Sequence, residues 1–181
     1  MGRKLKVATA VAVVAGAIAL AGVPLYVMPA RDEPRAVDAV YVIGPPTDTR
    51  MELAQSLVAE GMASTLVVSL SEEPEDRARY PLAVAACESA DPAVVCAMPE
   101  PFTTRGEARW LRDLADSHAW ESAAVITVTP HITRTRVIME RCWDGDVAYL
   151  DSGERLAPHY WAYHYAYQSG AFLKVALEDG C

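Results

Sequence analysis

Apolar and polar positions form two kinds of block along this chain. Short apolar runs rich in β-branched residues, typical of buried strands, alternate with longer segments in which apolar residues recur every three or four positions, as in helices. Gly, Pro and polar residues separate the blocks and indicate loops, including an acidic loop at residues 71–81. The predicted strands are 39–44, 64–70, 93–98, 123–129 and 146–150, and the predicted helices are 47–60, 82–90, 104–118, 130–142 and 159–177.

This alternation predicts an α/β fold, a three-layer Rossmann-like domain with a mainly parallel sheet of about five strands. Strands that are apolar on both sides need helices on both faces of the sheet, and the crossover connections are then right-handed. The pattern does not specify the strand order. Because ligands bind at the carboxyl edge of such sheets, the residues that follow the strands are the candidates for a site.

The first 30 residues are predicted to be a targeting segment. An uncharged run from Val7 to Pro29 follows the basic flank MGRKLK, and at ~1.5 Å per residue it can cross a hydrocarbon layer of ~30 Å. We favour an uncleaved single-pass anchor in the plasma membrane, with the positive flank in the cytoplasm and the rest of the chain outside. A cleaved signal peptide, which would give a secreted protein, and a buried helix of a cytosolic protein are the alternatives. Residues 31–37 then form a charged linker and residues 38–181 the extracytoplasmic domain.

The charge distribution argues against nucleic-acid binding. The chain has a formal net charge of −8, and beyond residue 30 there are 13 basic and 24 acidic residues, a net charge of −11. Such an acidic domain lacks the positive surface that a phosphate backbone requires. An anionic ligand would need a local concentration of positive charge within it.

The four cysteines fit an oxidising compartment. Their even number and the absence of a CxxC spacing favour disulfides over zinc ligands or thioredoxin-like chemistry. Four cysteines allow three connectivities. We prefer Cys87–Cys96, which closes a short loop, with Cys142–Cys181, which ties the chain end to a helix. Free buried thiols are the alternative.

Two predicted helix starts carry residues that are able to do chemistry. Thr104 and Glu107 match the S/T-x-x-E capping box, in which the threonine caps an amide and the glutamate reaches back to the amide of the threonine. The functional alternative is that Glu107 faces a site as an acid or base. His131 and Arg134 lie one turn apart at the next helix start, where an imidazole suits acid–base catalysis and an arginine suits an anion.

Gly44 and Arg50 belong to the same predicted edge of the sheet. Gly44 is followed by two prolines, which have no N–H to donate, so both the dinucleotide fingerprint and the P-loop are absent. We interpret this segment as a rigid turn that can still line a site. Arg50 is either a surface arginine or neutralises an anionic ligand. No G-x-S-x-G elbow is present, and the sequence specifies neither a cofactor nor a set of metal ligands.

The last predicted helix is crowded with aromatic residues. We favour helix packing as their role, and a membrane-facing patch beside the anchor is the alternative. His159 and His164 are five positions apart, a poor spacing for a shared ligand on one helix. The aromatic residues concerned are Tyr160, Trp161, Tyr163, Tyr165 and Tyr167.

Taken in order, these features resemble the SanA/ElyC/YdcF family of envelope proteins. That family has a strand ending in a glycine-rich turn, an Arg in the next helix, a Thr-x-x-Glu helix start, and a strand that runs into Thr, His and a following Arg. The similar segments here are Val40–Gly44, Arg50, Thr104–Glu107 and Thr129–Arg134. The resemblance covers residues 38–149, and the cysteines with the TTRGEA segment resemble an actinobacterial-type branch. The chain departs from the family at Gly44-Pro-Pro, which replaces the glycine-rich turn.

The resemblance implies a function in the cell envelope. Similar proteins are tethered to the membrane by one N-terminal helix and are linked to envelope integrity and to cell-wall precursor or lipid-carrier metabolism. The ligand we expect is anionic, phosphorylated or lipid-linked, and the alternative function is a non-catalytic binding or scaffold module for envelope enzymes. The residues expected at the site are Arg50 and Arg134 for the negative charge, Gly44 and Thr104 beside the ligand, and His131 and Glu107 for proton transfer.

Overall fold

The computed structural model describes residues 2–178, 180 and 181 and has the predicted α/β fold. Its five strands form one all-parallel sheet. The strands are β1 Ala39–Val42, β2 Thr65–Ser69, β3 Val94–Ala97, β4 Ser122–Thr127 and β5 Asp146–Asp151. The helices are α1 Gly2–Gly22, α2 Asp48–Ala59, α3 Pro74–Arg77, α4 Pro81–Cys87, α5 Thr104–His118, α6 Ile132–Cys142 and α7 Pro158–Leu177.

The predicted elements are present with shifts of a few residues at their ends, and one segment differs. Residues 71–81, which we expected to form a loop, contain the short helix α3. Pro74 lies in the first turn of α3 together with Glu75 and Asp76. A proline and acidic residues both favour the start of a helix, which accounts for this turn.

The strand order, which the sequence left open, is β3-β2-β1-β4-β5. The chain builds outward from β1 through β2 to β3 and then returns to place β4 on the other side of β1. One apolar core cluster packs α2 and α4 on one face of the sheet, and a second packs α5 and α6 on the other face. The connection that follows β1 leads to one side of the sheet, and the connection that follows β4 leads to the other. The carboxyl ends of β1 and β4 therefore form a topological switch point, which is where open α/β sheets bind ligands.

Strand β1 shows why the sheet needs both helical layers. All four of its residues are buried. Tyr41 belongs to the cluster that contains α5, and Val40 and Val42 belong to the cluster that contains α2. Successive side chains of a strand point to opposite faces, so an unbroken apolar run requires cover on both sides.

Both preferred disulfides are confirmed. Cys87 and Cys96 join the end of α4 to β3, and Cys142 and Cys181 join the end of α6 to the last residue of the chain. The carbonyl oxygen of Cys181 also accepts a hydrogen bond of 2.6 Å from Arg109. The C-terminus is therefore fixed against α5 and α6.

Among the described residues, one helix is long and apolar enough to cross a membrane. It extends from Leu5 to Val27, the last five residues as a π-helical turn, and only 11% of its most apolar window is buried. It is thus not the core helix of a globular domain. The side chains of Arg3 and Lys4, in the basic flank that we used to orient the helix, lie outside the described part of the structure.

The end of this segment packs on the domain. Gly22 and Tyr26 are buried, and Tyr26 contacts the rings of Tyr165 and Phe172 of α7. The hydroxyl of Tyr165 donates a hydrogen bond of 3.2 Å to the carbonyl oxygen of Ala19. Residues 19–26 are therefore part of the folded interface and not a free tether.

The charged linker is also docked. The amide of Asp32 donates to the carbonyl oxygen of Tyr149 in β5 at 3.0 Å, and the amide of Tyr149 donates to the Asp32 carboxylate at 2.9 Å. Arg136 of α6 binds the same carboxylate at 3.0 Å. These contacts hold the linker against β5 and α6.

Candidate functional site

A cavity of about 1230 Å³ lies at the carboxyl edge of the sheet, beside the switch point. Its floor comes from the ends of β1 and β4, and α7 covers one side. The six residues that we expected to form the site all line it, on three separate segments of the chain. They are Gly44 and Arg50, Thr104 and Glu107, and His131 and Arg134.

The capping-box prediction at α5 is wrong. The N-cap is Thr103, whose hydroxyl accepts a hydrogen bond from the amide of Gly106 at 3.3 Å. Glu107 instead reaches across the cavity floor and accepts a hydrogen bond of 2.6 Å from the amide of Gly44. The box fails because the helix is capped one residue earlier than we expected, which places Glu107 at the fourth helical position and not the third, with its side chain turned towards β1. A capping role therefore does not explain Glu107.

Glu107 is buried, at 3% exposure. Burial raises the pKa of its carboxyl from 4.5 to about 7, although the Gly44 amide, the Ser69 hydroxyl, Arg50 and Arg134 all act to lower it. Near neutral pH this group is therefore divided between its acid and its base form. A carboxyl with that pKa is suited to proton transfer.

Arg134, His131 and Thr104 form a buried cluster on the opposite side of the cavity. The guanidinium of Arg134 donates to Nε2 of His131 at 2.5 Å and to the hydroxyl of Thr104 at 3.2 Å. Since arginine only donates, Nε2 carries no proton, and Nδ1 donates to the hydroxyl of Thr127 at 3.0 Å. Burial and Arg134 lower the pKa of His131 well below its usual range, so the imidazole is neutral.

The charge of Arg134 has no carboxylate contact in the described part of the chain. Its third hydrogen bond goes to the amide oxygen of Gln168 on α7, at 2.7 Å. Gln168 is 2% exposed and Arg134 is 8% exposed. The cluster is thus a nearly buried cation that is held by three uncharged groups at the edge of a cavity.

Arg50 has a different environment from Arg134. Its Nε binds the carboxylate of Glu154 at 2.7 Å, and its terminal nitrogen donates to the carbonyl oxygens of Ile43 and Pro45 at 3.3 and 2.8 Å. Glu154 also accepts from the hydroxyl of Thr47 at 2.8 Å. Arg50 therefore fixes the turn after β1, and Glu154 balances its charge.

Four polar residues of the site were not predicted from the sequence: Ser69 and Tyr41 beside Glu107, and Glu154 and Gln168 in the cavity lining. Ser69 ends β2, and its hydroxyl is 2.6 Å from that of Tyr41, which links both to Glu107. Ser69 follows the general rule for strand ends and could have been found from it. Glu154 and Gln168 come from a loop and a helix with no motif, so only the fold brings them to the cavity.

The cavity lining is more basic than the chain. Among the described residues it contains six basic and four acidic side chains, in a chain whose net charge is −8. His164 of α7 also lines it, and its Nδ1 is buried with no hydrogen-bond partner among the described residues. The cavity thus offers an anion local positive charge and a free polar atom.

Among the described residues there is no group of three or more His, Cys, Asp or Glu side chains placed to hold a metal ion. No family model, curated protein or solved structure matches this chain.

We expect Gly106→Ala to destabilise the domain, because the loop before α5 packs directly on Gly106 and leaves no room for a side chain. A Cβ there would lie 1.9 Å from the carbonyl oxygen of Pro101, so the backbone must shift. Overpacking of this kind typically costs ~2 kcal/mol, to be measured as the free energy of unfolding in urea. Gly170→Ala is the control, since a Cβ there meets nothing within 4 Å and should stabilise α7 by ~0.8 kcal/mol. Equal stability of the Gly106 variant and the wild type would contradict the close contact.

Proposed function

We propose that this chain is a single-pass membrane protein whose extracytoplasmic α/β domain binds an anionic ligand, phosphorylated or lipid-linked, and acts in cell-envelope maintenance. The resemblance to the SanA/ElyC/YdcF family supports the biological role. The cavity at the switch point of the sheet supports the binding role. The two disulfides support a location outside the cytoplasm.

The observation that carries the proposal is the state of Arg134. The guanidinium of Arg134 is 8% exposed and hydrogen-bonds only uncharged groups in the described chain, and Glu107 favours its charge without an ion-pair contact, so the cation lacks a directly bound anion. A phosphate or carboxylate that enters the cavity would supply the missing charge in a bidentate geometry. Arg50 contributes less, because Glu154 already occupies its Nε.

The packing of residues 19–26 supports a retained anchor over a cleaved signal peptide. Cleavage after this segment would remove Gly22 and Tyr26 from a buried interface and expose the rings of Tyr165 and Phe172. A signal peptide has no reason to complete the packing of the mature domain. The intact mass of the protein from the membrane fraction reports which form exists.

If the domain is an enzyme, Glu107 is the group best suited to exchange protons near neutral pH. His131 acts as a base only once a ligand takes the N–H that Arg134 now donates to Nε2. Binding of the anion would then free the imidazole in the same step. This order of events makes Arg134 the first contact and His131 the second.

The hydrogen bond that Arg134 donates to Nε2 of His131 also favours the alternative, a non-catalytic binding module. Nε2 of His131 is the atom that would accept a proton, and it is already used to hold Arg134. In this case His131 is a positioning residue for the cation and no proton is moved.

Calorimetric titration of the full chain in detergent with inorganic phosphate and with a short isoprenyl phosphate tests the proposal. Saturable binding of either supports an anion site, and tighter binding of the isoprenyl phosphate supports a lipid-linked ligand. If neither binds, the anion site is wrong.

Complementation of a deletion strain separates the enzyme from the binding module. Glu107→Gln keeps an oxygen for the Gly44 amide but cannot lose a proton. The enzyme proposal predicts loss of complementation at normal abundance and with a melting temperature at or above that of the wild type, with binding of phosphate retained. Full complementation by this variant would overturn the enzyme proposal and leave the binding module.

A further inference from the structure

We propose that α7 lies in the membrane interface, with its exposed apolar face against lipid. The proposal rests on the retained anchor described above and does not depend on a ligand in the cavity. It concerns the surface formed by Ala162, Ala166, Gly170, Leu173 and Leu177, referred to below as the apolar face of α7.

The composition of α7 is unlike that of the rest of the chain. Its 20 residues contain one lysine and no Asp, Glu or Arg, whereas charged residues make up 22% of the sequence. Leu173 and Leu177 are 64% and 78% exposed, and the three other residues of the apolar face are exposed as well. An exposed helix face without charge is an interaction surface and not a solvated one.

The contacts of α7 place that face beside the membrane anchor. Tyr165, Ser169 and Phe172, which share one side of the helix, contact the anchor residues Ala19 and Tyr26. Gly22 completes the contact, since a Cβ there would lie 2.4 Å from the ring of Tyr165.

The position of these anchor residues sets the depth of the helix. The membrane-spanning stretch begins at Leu5, and ~20 helical residues are needed to cross a hydrocarbon layer of ~30 Å. The layer therefore extends to about residue 24, and Ala19 and Gly22 lie within its outer part. A helix that is hydrogen-bonded to Ala19 cannot lie away from the bilayer surface.

The rotation of α7 leaves the apolar face free for lipid. Gln168 and Val175 are buried against the domain, and the side that carries Tyr165 and Phe172 meets the anchor. At 100° per residue, Ala162, Ala166 and Leu173 follow directly on the side away from the domain. Lipid that surrounds the anchor reaches these residues without any change in the structure.

The remaining side of α7 indicates an interfacial helix and not a second span. Tyr160, Tyr163 and Tyr167 are 53%, 57% and 50% exposed and line the mouth of the cavity. The packing role that we expected for the aromatic residues thus holds for Tyr165 but not for these three. Tyrosines with one polar end are typical of the membrane–water boundary, and Lys174 can extend towards the headgroups.

Site-directed spin labelling of the full chain tests the proposal. All four native cysteines are in disulfides, so a single added cysteine is labelled alone. Ala166→Cys and Leu173→Cys probe the apolar face, and Gln55→Cys on the exposed side of α2 is the matched control. The variants are reconstituted in vesicles of phosphatidylethanolamine and phosphatidylglycerol, and the accessibility of each label to oxygen and to a water-soluble nickel chelate is measured.

We expect the labels at positions 166 and 173 to be accessible to oxygen and protected from the chelate, and the label at 55 to show the reverse. Aqueous values at 166 and 173 in protein that floats with the vesicles would overturn the proposal and leave the anchor intact. Protection of these positions from both reagents would also overturn it, because another protein chain would then cover the face. A chain that fails to float would overturn the anchor and the interfacial helix together.

Discussion

Replacing Arg134 by methionine is expected to weaken the binding of a phosphorylated ligand by about 100-fold or more, which corresponds to ~3 kcal/mol. Arg134 lines the cavity and is nearly buried, and the described chain supplies it with three uncharged hydrogen-bond partners and no carboxylate contact. Methionine keeps the apolar stem and much of the volume but removes the charge and all its N–H groups. Titration of the full chain in detergent with inorganic phosphate and with an isoprenyl phosphate measures the loss.

Two further variants separate the charge of Arg134 from its geometry. Arg134→Lys retains a positive charge without the planar fork, so we expect it to recover part of the affinity only. Arg112→Met removes an arginine of α5 that does not line the cavity and pairs with Asp113, and it should bind as the wild type does. Equal affinity of the Arg134→Met and Arg112→Met variants would place the anion elsewhere.

The sequence was sufficient to predict the layers of this fold because its signals are local. Each strand is an apolar run that ends at a turn residue, and each long helix has its own periodicity. The disulfide partners were also predictable, since Cys87–Cys96 closes a short loop and Cys142–Cys181 ties the chain end to a helix. The strand order was not predictable, because it depends on which crossovers pack best and not on any one segment.

The candidate site was predictable in outline only. The strand-end rule brought Gly44, Arg50 and His131 to one edge, and the cavity contains all three. The hydrogen-bond partners of the two site arginines come from distant segments of the chain. Glu154 binds Arg50, and Gln168 binds Arg134. Glu107 shows most clearly the limit of prediction from sequence. The capping motif accounted for this residue, and nothing in the sequence indicated its hydrogen bond with the amide of Gly44, 63 residues away.

The burial of Glu107 makes it a destabilising residue above neutral pH, although its hydrogen bond with the Gly44 amide acts in the opposite direction. The pKa of its carboxyl is raised from 4.5 to about 7, mainly by burial. For a carboxyl whose pKa is higher in the folded state, the stabilising contribution is fully present below pH 4.5 and is lost as the pH rises through about 7. Over that interval the free energy of unfolding should fall by ~3 kcal/mol on account of this one group.

Glu107→Gln is therefore expected to stabilise the protein by up to ~3 kcal/mol at about pH 8 and to leave it nearly unchanged below pH 4.5. The glutamine oxygen still accepts the Gly44 amide, and no charge has to be buried. Urea unfolding of both proteins in detergent across this pH range gives the difference directly, and Glu52→Gln on the exposed side of α2 is the control that should show no such divergence. A variant that is less stable than the wild type at about pH 8 would mean that Glu107 is held as a structural anion. A stabilised variant that no longer complements would mean that the cell retains a residue that destabilises the fold because its chemistry is needed.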